Sequence, residues 1–349
     1  MIASHPESSH VEPVETSQAE RVRLLDNVNV LLEKRREAAR AERARYFRPD
    51  ASSPERYERS LATYREDLIA LLGWPLNEPT PPISAEVTEI ANDEMGRIQR
   101  VHVGTVAGLK AYGILFLPPG PGKHPLVIAQ HGGHGSPELA AGFWPEAPSN
   151  YNGMITRLRE RGAAVFAPQL IVWDRGQDPK FDQHHMDRKF RHLGGSRAAF
   201  DLCQLRDLFA WLVTHPEIDA DRIGMTGLSY GGFYSLVFAA LEPRIRVAVS
   251  SCFVNDRHRY DWEDWVWTGS AKRFLDGEIA RMICPRPLFL EAGARDELFD
   301  AEGFGPVAGE VSAAYRALGR ESAFESRLHP GGHEYDPDGR AGEFLLKWL

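Results

Sequence analysis

The chain has 349 residues, of which 43% are hydrophobic, a length that allows one large α/β domain with additions. Its 41 basic and 49 acidic residues give a net charge of -8, which argues against nucleic acid or an anionic membrane surface as a partner. Three cysteines without C-x-x-C spacing, Cys203, Cys252 and Cys284, indicate buried free thiols in a reducing compartment.

The N-terminal segment, residues 1–17, is polar and rich in Ser, Glu and Pro, which predicts a disordered tail. It lacks the apolar centre of a secretory signal, and no later apolar run approaches the length needed to span a membrane. We therefore expect a cytoplasmic protein without a membrane partner.

Two helices are predicted after the tail. The first runs from Gln18 to about Tyr46, and the second begins at the N-cap Ser53 and ends near Leu72. Each carries an apolar stripe at three- and four-residue spacing, formed by Val22, Leu25, Val28 and Leu32 in the first and by Tyr57, Leu61, Tyr64, Leu68 and Leu71 in the second. We expect residues 18–82 to pack on the following domain or to form a homodimer contact.

Residues 83–349 alternate between predicted strands and helices, which indicates an α/β fold with a mostly parallel central sheet covered by helices on both faces. Alternating segments predict an antiparallel start, and short continuous apolar runs then predict buried parallel strands. The predicted strands are 86–90, 97–103, 110–117, 126–129, 163–167, 222–226, 246–249, 287–290 and 324–328.

The strongest motif is the G-x-S-x-G run of residues 227–231, between a predicted strand and a predicted helix. Such a turn holds a serine in a strained conformation clear of the backbone, and its small neighbours let strand and helix pass closely. The pattern predicts that Ser229 is an activated nucleophile.

A nucleophilic serine needs a base and an orienting acid. Asp296 follows the strand at 287–290 and His333 follows the last strand, in the Ser, Asp, His order of α/β-hydrolases. Asp300 and Asp256 are alternative acids, and His329 is an alternative base.

An oxyanion hole needs two backbone N–H donors. The first predicted donor is the N–H of Tyr230, the residue after the nucleophile. The second is the N–H of Gly133, or else of Gly132, in the loop after strand 126–129. His131 of the same loop is either a structural histidine or a pocket residue.

Together these motifs resemble the α/β-hydrolase superfamily, and within it the serine esterase branch of dienelactone hydrolases, acetyl xylan esterases and prolyl oligopeptidase-type catalytic domains. The resemblance covers residues 84–349. The dienelactone hydrolases usually carry cysteine where this chain has Ser229, and no β-propeller precedes the domain as in the oligopeptidases. The resemblance implies an ester hydrolase.

Two insertions, at about 173–195 and 253–283, are expected to shape the substrate pocket. The first contains a His184-His185-x-Asp187 cluster, for which loop packing is favoured over metal binding because the ligand spacing is irregular. The second contains Trp262, Trp265 and Trp267, which form either the core of a lid or a pocket wall.

The sequence therefore predicts a serine hydrolase of short-acyl or carbohydrate esters that acts through an acyl-enzyme, with no cofactor and no metal. Its partner is a small-molecule ester. The alternatives are a peptidase or amidase with the same triad and a non-catalytic binding protein of the same fold.

Overall fold

The computed structural model describes residues 14–143, 149–171, 183–260 and 265–349. The chain divides into two compact units. The smaller comprises residues 1–48 and 271–273, and the larger comprises residues 49–270 and 274–349. The division after Arg48 falls inside the segment 18–82, which the sequence analysis treated as one extension.

The smaller unit consists of helix α1, Val14–Tyr46, and the short segment 271–273. Arg43 donates to the carbonyl of Ala271 at 2.5 Å, and Lys272 pairs with Glu42 at 3.4 Å. The helix begins at Val14, inside the stretch predicted to be a tail, which otherwise lies outside the described residues. The predicted stripe residues Val22, Leu25, Val28 and Leu32 are exposed.

The larger unit is organised by a nine-stranded sheet in the order β1-β2-β3-β5-β4-β6-β7-β8-β9. The first three strands pair antiparallel, β3 pairs antiparallel with β5, and all the later pairs are parallel. The strands are β1 Ala85–Asp93, β2 Gly96–Gly104, β3 Lys110–Leu117, β4 His124–Gln130, β5 Ala164–Pro168, β6 Ile218–Gly227, β7 Val247–Ser251, β8 Leu288–Gly293 and β9 Phe324–His329.

The α-helices of this unit lie between and around the strands. They are α2 Pro54–Ser60, α3 Ala62–Leu72, α4 Pro137–Ala140, α5 Met154–Arg159, α6 Gln183–His192, α7 Arg197–Leu212, α8 Tyr230–Leu241, α9 Asp276–Arg281, α10 Ala301–Ala317 and α11 Arg340–Trp348. The predicted α/β-hydrolase architecture is thereby confirmed, including the mostly parallel sheet.

One face of the sheet is covered by α5 and α11, whose apolar side chains share a buried cluster with the central strands. Met154 and Leu158 of α5 and Phe344 and Leu345 of α11 pack there with Val127 and Val249. Helices α7 and α8 also pack on the sheet and on each other. Helix α8 is buried along almost its entire length, as its apolar sequence predicts.

The second predicted helix is divided at Leu61 into α2 and α3. Ser53 caps α2 as expected, because its side chain accepts the N–H of Arg56 at 3.2 Å. Leu61, Leu68 and Leu72 are almost fully buried, and Arg65 donates to the carbonyl of Ala240 at the end of α8. These two helices are therefore an integral part of the larger unit.

Among the residues that the structure describes, no helix combines the length and the apolar character that a membrane crossing requires.

Candidate active site

Ser229 occupies the turn between β6 and α8 in a strained backbone conformation. Its φ and ψ are 59° and -119°, a region that a residue with a side chain rarely adopts. The close approach explains the neighbouring glycines, since a Cβ at Gly231 would lie 2.1 Å from the carbonyl oxygen of Gln130 and one at Gly227 would lie 2.5 Å from the backbone of Gly231. The turn has the geometry that the G-x-S-x-G motif predicts.

Asp296 and His333 meet beyond the carboxyl ends of β8 and β9. The Nδ1 atom of His333 lies 2.8 Å from Oδ2 of Asp296. The other carboxylate oxygen accepts the N–H groups of Leu298 at 2.8 Å and Phe299 at 3.1 Å. The structure therefore brings the predicted acid and base into hydrogen-bond contact and fixes the carboxylate from three sides.

These contacts determine the charge of Asp296. Burial by itself raises the pKa of the carboxyl, but the hydrogen bond and charge of His333 and the backbone N–H groups of Leu298 and Phe299 outweigh burial, and the pKa lies below its ordinary value. Asp296 is ionised at neutral pH, the state that holds an imidazole with its proton on Nδ1.

A short run of backbone connects the serine turn to this acid–base pair. The N–H of Ser229 donates to the carbonyl of Ser251 at the end of β7, and the isolated bridge between Leu228 and Ser251 brings the two segments together. The next residue, Cys252, has its sulfur within 4.8 Å of ligand atoms of both Asp296 and His333. All three predicted residues thus lie at the same end of the sheet.

The alternative acids have other partners in the structure. Asp300 caps α10 by accepting the N–H of Gly303 at 2.8 Å and pairs with Arg259 at 2.8 Å. Asp256 accepts the N–H of His258 at 3.1 Å in the turn that follows β7. Both carboxylates therefore stabilise local turns.

The two remaining histidines of the predicted site are buried. His329 accepts the N–H of Gly331 through Nδ1 at 3.1 Å. His131 accepts the N–H of Leu170 at 3.0 Å, and burial lowers the pKa of its imidazole to about 4. Both arrangements fit a structural role that orders a loop at the site.

The loop that carries the predicted oxyanion donors is held by Tyr151. The N–H of Gly132 donates to the Tyr151 hydroxyl at 2.9 Å. A Cβ at Gly132 would lie 3.3 Å from that of Ser229, so the loop passes directly beside the serine. Because the Gly132 N–H already has a partner, Gly133 is the better placed of the two predicted donors by elimination.

Aromatic side chains from several elements form a wall around these residues. Trp265 packs 4.6 Å from the ring of Tyr230 and 5.0 Å from that of Phe253, measured between ring centroids. The imidazole of His333 stacks on Phe299 at 5.7 Å. Trp265 is buried and Trp267 half-buried, whereas Trp262 and residues 173–182 of the first insertion lie outside the described residues.

Two cationic side chains reinforce this wall. The Arg197 guanidinium lies 4.9 Å from the centre of the Tyr230 ring, and that of Arg257 lies 3.8 Å from the centre of the Phe253 ring. Arg257 also pairs with buried Asp276 through two hydrogen bonds of 2.8 and 2.7 Å. Sequence reasoning missed these arginines and Phe299, since no local motif marks them.

Asp187, in helix α6 of the first insertion, makes structural contacts. Its carboxylate accepts Arg191 at 2.5 Å and the N–H of Arg197 at 3.0 Å. In the part of the chain that the structure describes, the single group of three or more potential metal ligands is Cys252, Asp296 and His333.

Comparison with known proteins agrees with this architecture. The family model of X-Pro dipeptidyl-peptidases (S15 family) matches residues 201–277. A protein of Bacillus subtilis (strain 168) named "Putative hydrolase YtaP" is 32% identical over 305 residues, which cover 82% of this chain and 99% of that protein.

Two solved structures share the fold at low sequence identity. A protein titled "putative acetyl xylan esterase" from Bacteroides fragilis NCTC 9343 has a TM-score of 0.66 at 17% identity, covering 86% of this chain and 85% of the other. A glucuronoyl esterase from Solibacter usitatus has a TM-score of 0.64 at 14% identity, covering 83% and 93%. With the fold, the serine turn and the identity to YtaP taken together, the chain belongs to the α/β-hydrolase superfamily, in the same family as YtaP.

Proposed function

We propose that the protein is a serine esterase that cleaves short-acyl or carbohydrate esters through an acyl-enzyme. Ser229 attacks the ester carbonyl, His333 accepts the serine proton and returns it to the leaving alcohol, and Asp296 orients the imidazole. The hydrogen bond of 2.8 Å between Asp296 and His333, at the same sheet edge as the strained Ser229 turn, carries the proposal.

The oxyanion hole is proposed to use the N–H groups of Tyr230 and Gly133. Tyr230 opens α8, so its N–H lies at the positive end of the helix dipole, where negative charge is stabilised. Gly133 follows the residue that Tyr151 fixes beside the serine. Both donors are backbone groups of ordered turns, which lowers the cost of reorganisation when the oxyanion forms.

The surroundings of Ser229 favour a small acyl group. The serine is 7% exposed, and Trp265 packs against Tyr230, the residue that follows it. A long acyl chain would have to displace packed rings, whereas an acetyl group needs little more room than the reacting carbonyl. The names of the two structural neighbours, both esterases of carbohydrate substrates, agree with an ester on a sugar.

A peptidase is the second candidate because the matching S15 family model describes X-Pro dipeptidyl-peptidases. That match covers residues 201–277, which include the serine turn and its helix but neither Asp296 nor His333. The matched region thus contains the parts that esterases and peptidases of this fold share.

Purified protein should be assayed with p-nitrophenyl esters of two- to eight-carbon acids, acetylated sugars, a methyl glucuronate ester and X-Pro-p-nitroanilides, each beside Ser229→Ala. The proposal expects kcat/KM to be highest for acetyl esters and to fall with acyl length. Cleavage of X-Pro-anilides with higher kcat/KM than any ester would select the peptidase instead.

A further inference from the structure

The loop after β7 places a thiol directly behind the acid–base pair. Cys252 is fully buried, and its N–H donates to the carbonyl of Glu291 on β8 at 2.8 Å. Its backbone is held at a φ of 49°, in the left-handed region. The backbone of Cys252 is therefore fixed by the sheet edge, whereas rotation of its side chain can still move the sulfur.

Cys252, Asp296 and His333 form a compact set of ligands. One sulfur, one carboxylate oxygen and one imidazole nitrogen all lie within 4.8 Å of one another. In a tetrahedral zinc site the ligand atoms lie about 3.2–3.9 Å apart, given metal–ligand bonds of about 2.0–2.3 Å. The 2.8 Å contact between Asp296 and His333 would have to open by less than about 1 Å, and the sulfur would have to move closer.

From this geometry we propose that Cys252, Asp296 and His333 bind a thiophilic divalent cation such as Zn²⁺, Co²⁺ or Cd²⁺, and that binding switches off the hydrolase. A thiolate, an imidazole and a carboxylate are the ligand types that such cations select. The bonds formed are metal–Sγ, metal–Oδ and metal–Nδ1. The S–H bond, which donates to the carbonyl of Glu334 at 3.3 Å, breaks and its proton leaves to solvent, while the Nδ1 proton of His333 is lost and a proton is taken up on Nε2. No electron transfer is involved.

His329 supports the proposed thiolate from behind. Its Nδ1 accepts the N–H of Gly331, so its proton resides on Nε2, which lies 3.8 Å from the sulfur of Cys252. An N–H group that points at a sulfur stabilises negative charge there, the role of outer partners in metal sites. His329 therefore belongs to the surroundings of the site and not to its ligands.

Inhibition follows from which nitrogen of His333 the cation occupies. When the metal displaces the proton from Nδ1, the neutral ring takes up a proton on Nε2, and this tautomer has no lone pair on Nε2 to accept the proton of Ser229. The same cation draws the Asp296 carboxylate away from its orienting contact. This half of the inference rests on the proposed function, whereas cation binding does not.

Binding can be measured apart from activity, on chelator-treated protein. Titration with Co²⁺ or Cd²⁺ should give a thiolate-to-metal charge-transfer absorption that saturates at one cation per chain, also in Ser229→Ala. Cys252→Ser should abolish the band, and the control Cys284→Ser, which changes another buried thiol, should keep it. Wild-type protein without the band, or Cys252→Ser with an unchanged band, would overturn the site.

Inhibition is measured with the best ester, relative to the metal-free rate of each variant. Zn²⁺ should lower kcat with little change in KM, EDTA should restore the rate, and Cys252→Ser should require more than about 10-fold higher Zn²⁺. Equal inhibition of wild type and Cys252→Ser would overturn the switch. The charge-transfer band in a protein that hydrolyses no ester would support the cation site and refute the proposed function.

Discussion

Asp296 and His333 are joined by a hydrogen bond of 2.8 Å between Oδ2 and Nδ1, although 36 residues separate them in the sequence. Strands β8 and β9 are parallel neighbours, with Gly293 opposite His329, so their exit loops meet at the same edge. A Cβ at Gly293 would lie 2.0 Å from the carbonyl oxygen of Gly332, which shows how closely these two loops pass.

The roles of the two aspartates can be separated by matched substitutions. Asp296→Asn should leave the fold intact and lower kcat by about four orders of magnitude, because an amide no longer holds the imidazole in the active tautomer. Asp300→Asn should change kcat little, since asparagine also caps helices well. Steady-state kinetics with an acetyl ester measures both, and a mild Asp296→Asn beside a crippling Asp300→Asn would refute the assignment of the acid.

The site residues that the sequence located share one property. Ser229, Asp296 and His333 follow strands that the sequence pattern predicts, and parallel strands bring their carboxyl ends to one edge. The local pattern therefore predicts which loop after a strand carries each residue. The parallel topology of the sheet then brings these loops to the same edge.

The aromatic wall around the site could be predicted only in part: Trp265 was a candidate for a lid or pocket wall, but its ring contacts were not predicted. Phe299, Phe253 and Trp265 come from three segments, and their contacts depend on the three-dimensional path of loops without periodicity. The break at Leu61 was missed for a related reason, since its apolar neighbours keep helical spacing across the junction. Cys252 was recognised as a buried thiol, but its proximity to the acid was not.

Tyr151 should matter for the stability of the oxyanion loop. Tyr151→Phe leaves the buried N–H of Gly132 without its partner and should reduce the free energy of unfolding by about 1–3 kcal/mol. Tyr112→Phe is a suitable control, because the Tyr112 hydroxyl donates to the Glu138 side chain and no backbone N–H depends on it. Urea denaturation measures the free energy of unfolding of both variants. Equal small decreases in the two would mean that the hydrogen bond from Gly132 to Tyr151 does not contribute to stability.

The buried carboxyl of Asp201 should make stability depend on pH. It accepts the Tyr234 hydroxyl at 2.6 Å and the N–H of Ile171 at 2.9 Å. Burial raises the pKa of Asp201 to about 6, despite the opposing effects of Arg197 and these hydrogen bonds. The folded state thus binds the proton more tightly than the unfolded state. The contribution of Asp201 to the free energy of unfolding is therefore present below about pH 4 and is lost as pH rises from about 4 to about 6.

Asp201→Asn removes that loss. The difference obtained by subtracting the melting temperature of the wild type from that of the variant should be larger, and in favour of the variant, at about pH 7 than at about pH 4.5. Differential scanning fluorimetry at the two pH values measures this difference. A difference independent of pH would show that Asp201 does not titrate in this range in the folded protein.

Helices α2 and α3 should be needed for folding, and two truncations test this. Burial of Tyr57, Leu61, Leu68 and Leu72 stabilises the larger unit by roughly 1.5–3 kcal/mol per side chain before entropy is subtracted. A chain that starts at Ile83 should aggregate or melt several degrees lower, whereas one that starts at Pro49 keeps both helices and serves as the control. Equal melting temperatures and activities of the two chains would contradict an integral role for α2 and α3.

The central claim is that Ser229 forms a covalent acyl-enzyme with help from His333 and Asp296. A fluorophosphonate probe followed by intact mass and peptide analysis tests it most directly. The account predicts one adduct per chain, on Ser229, absent from Ser229→Ala and formed far more slowly by His333→Ala. Ester hydrolysis that persists in Ser229→Ala, or an adduct on another residue in active protein, would contradict it.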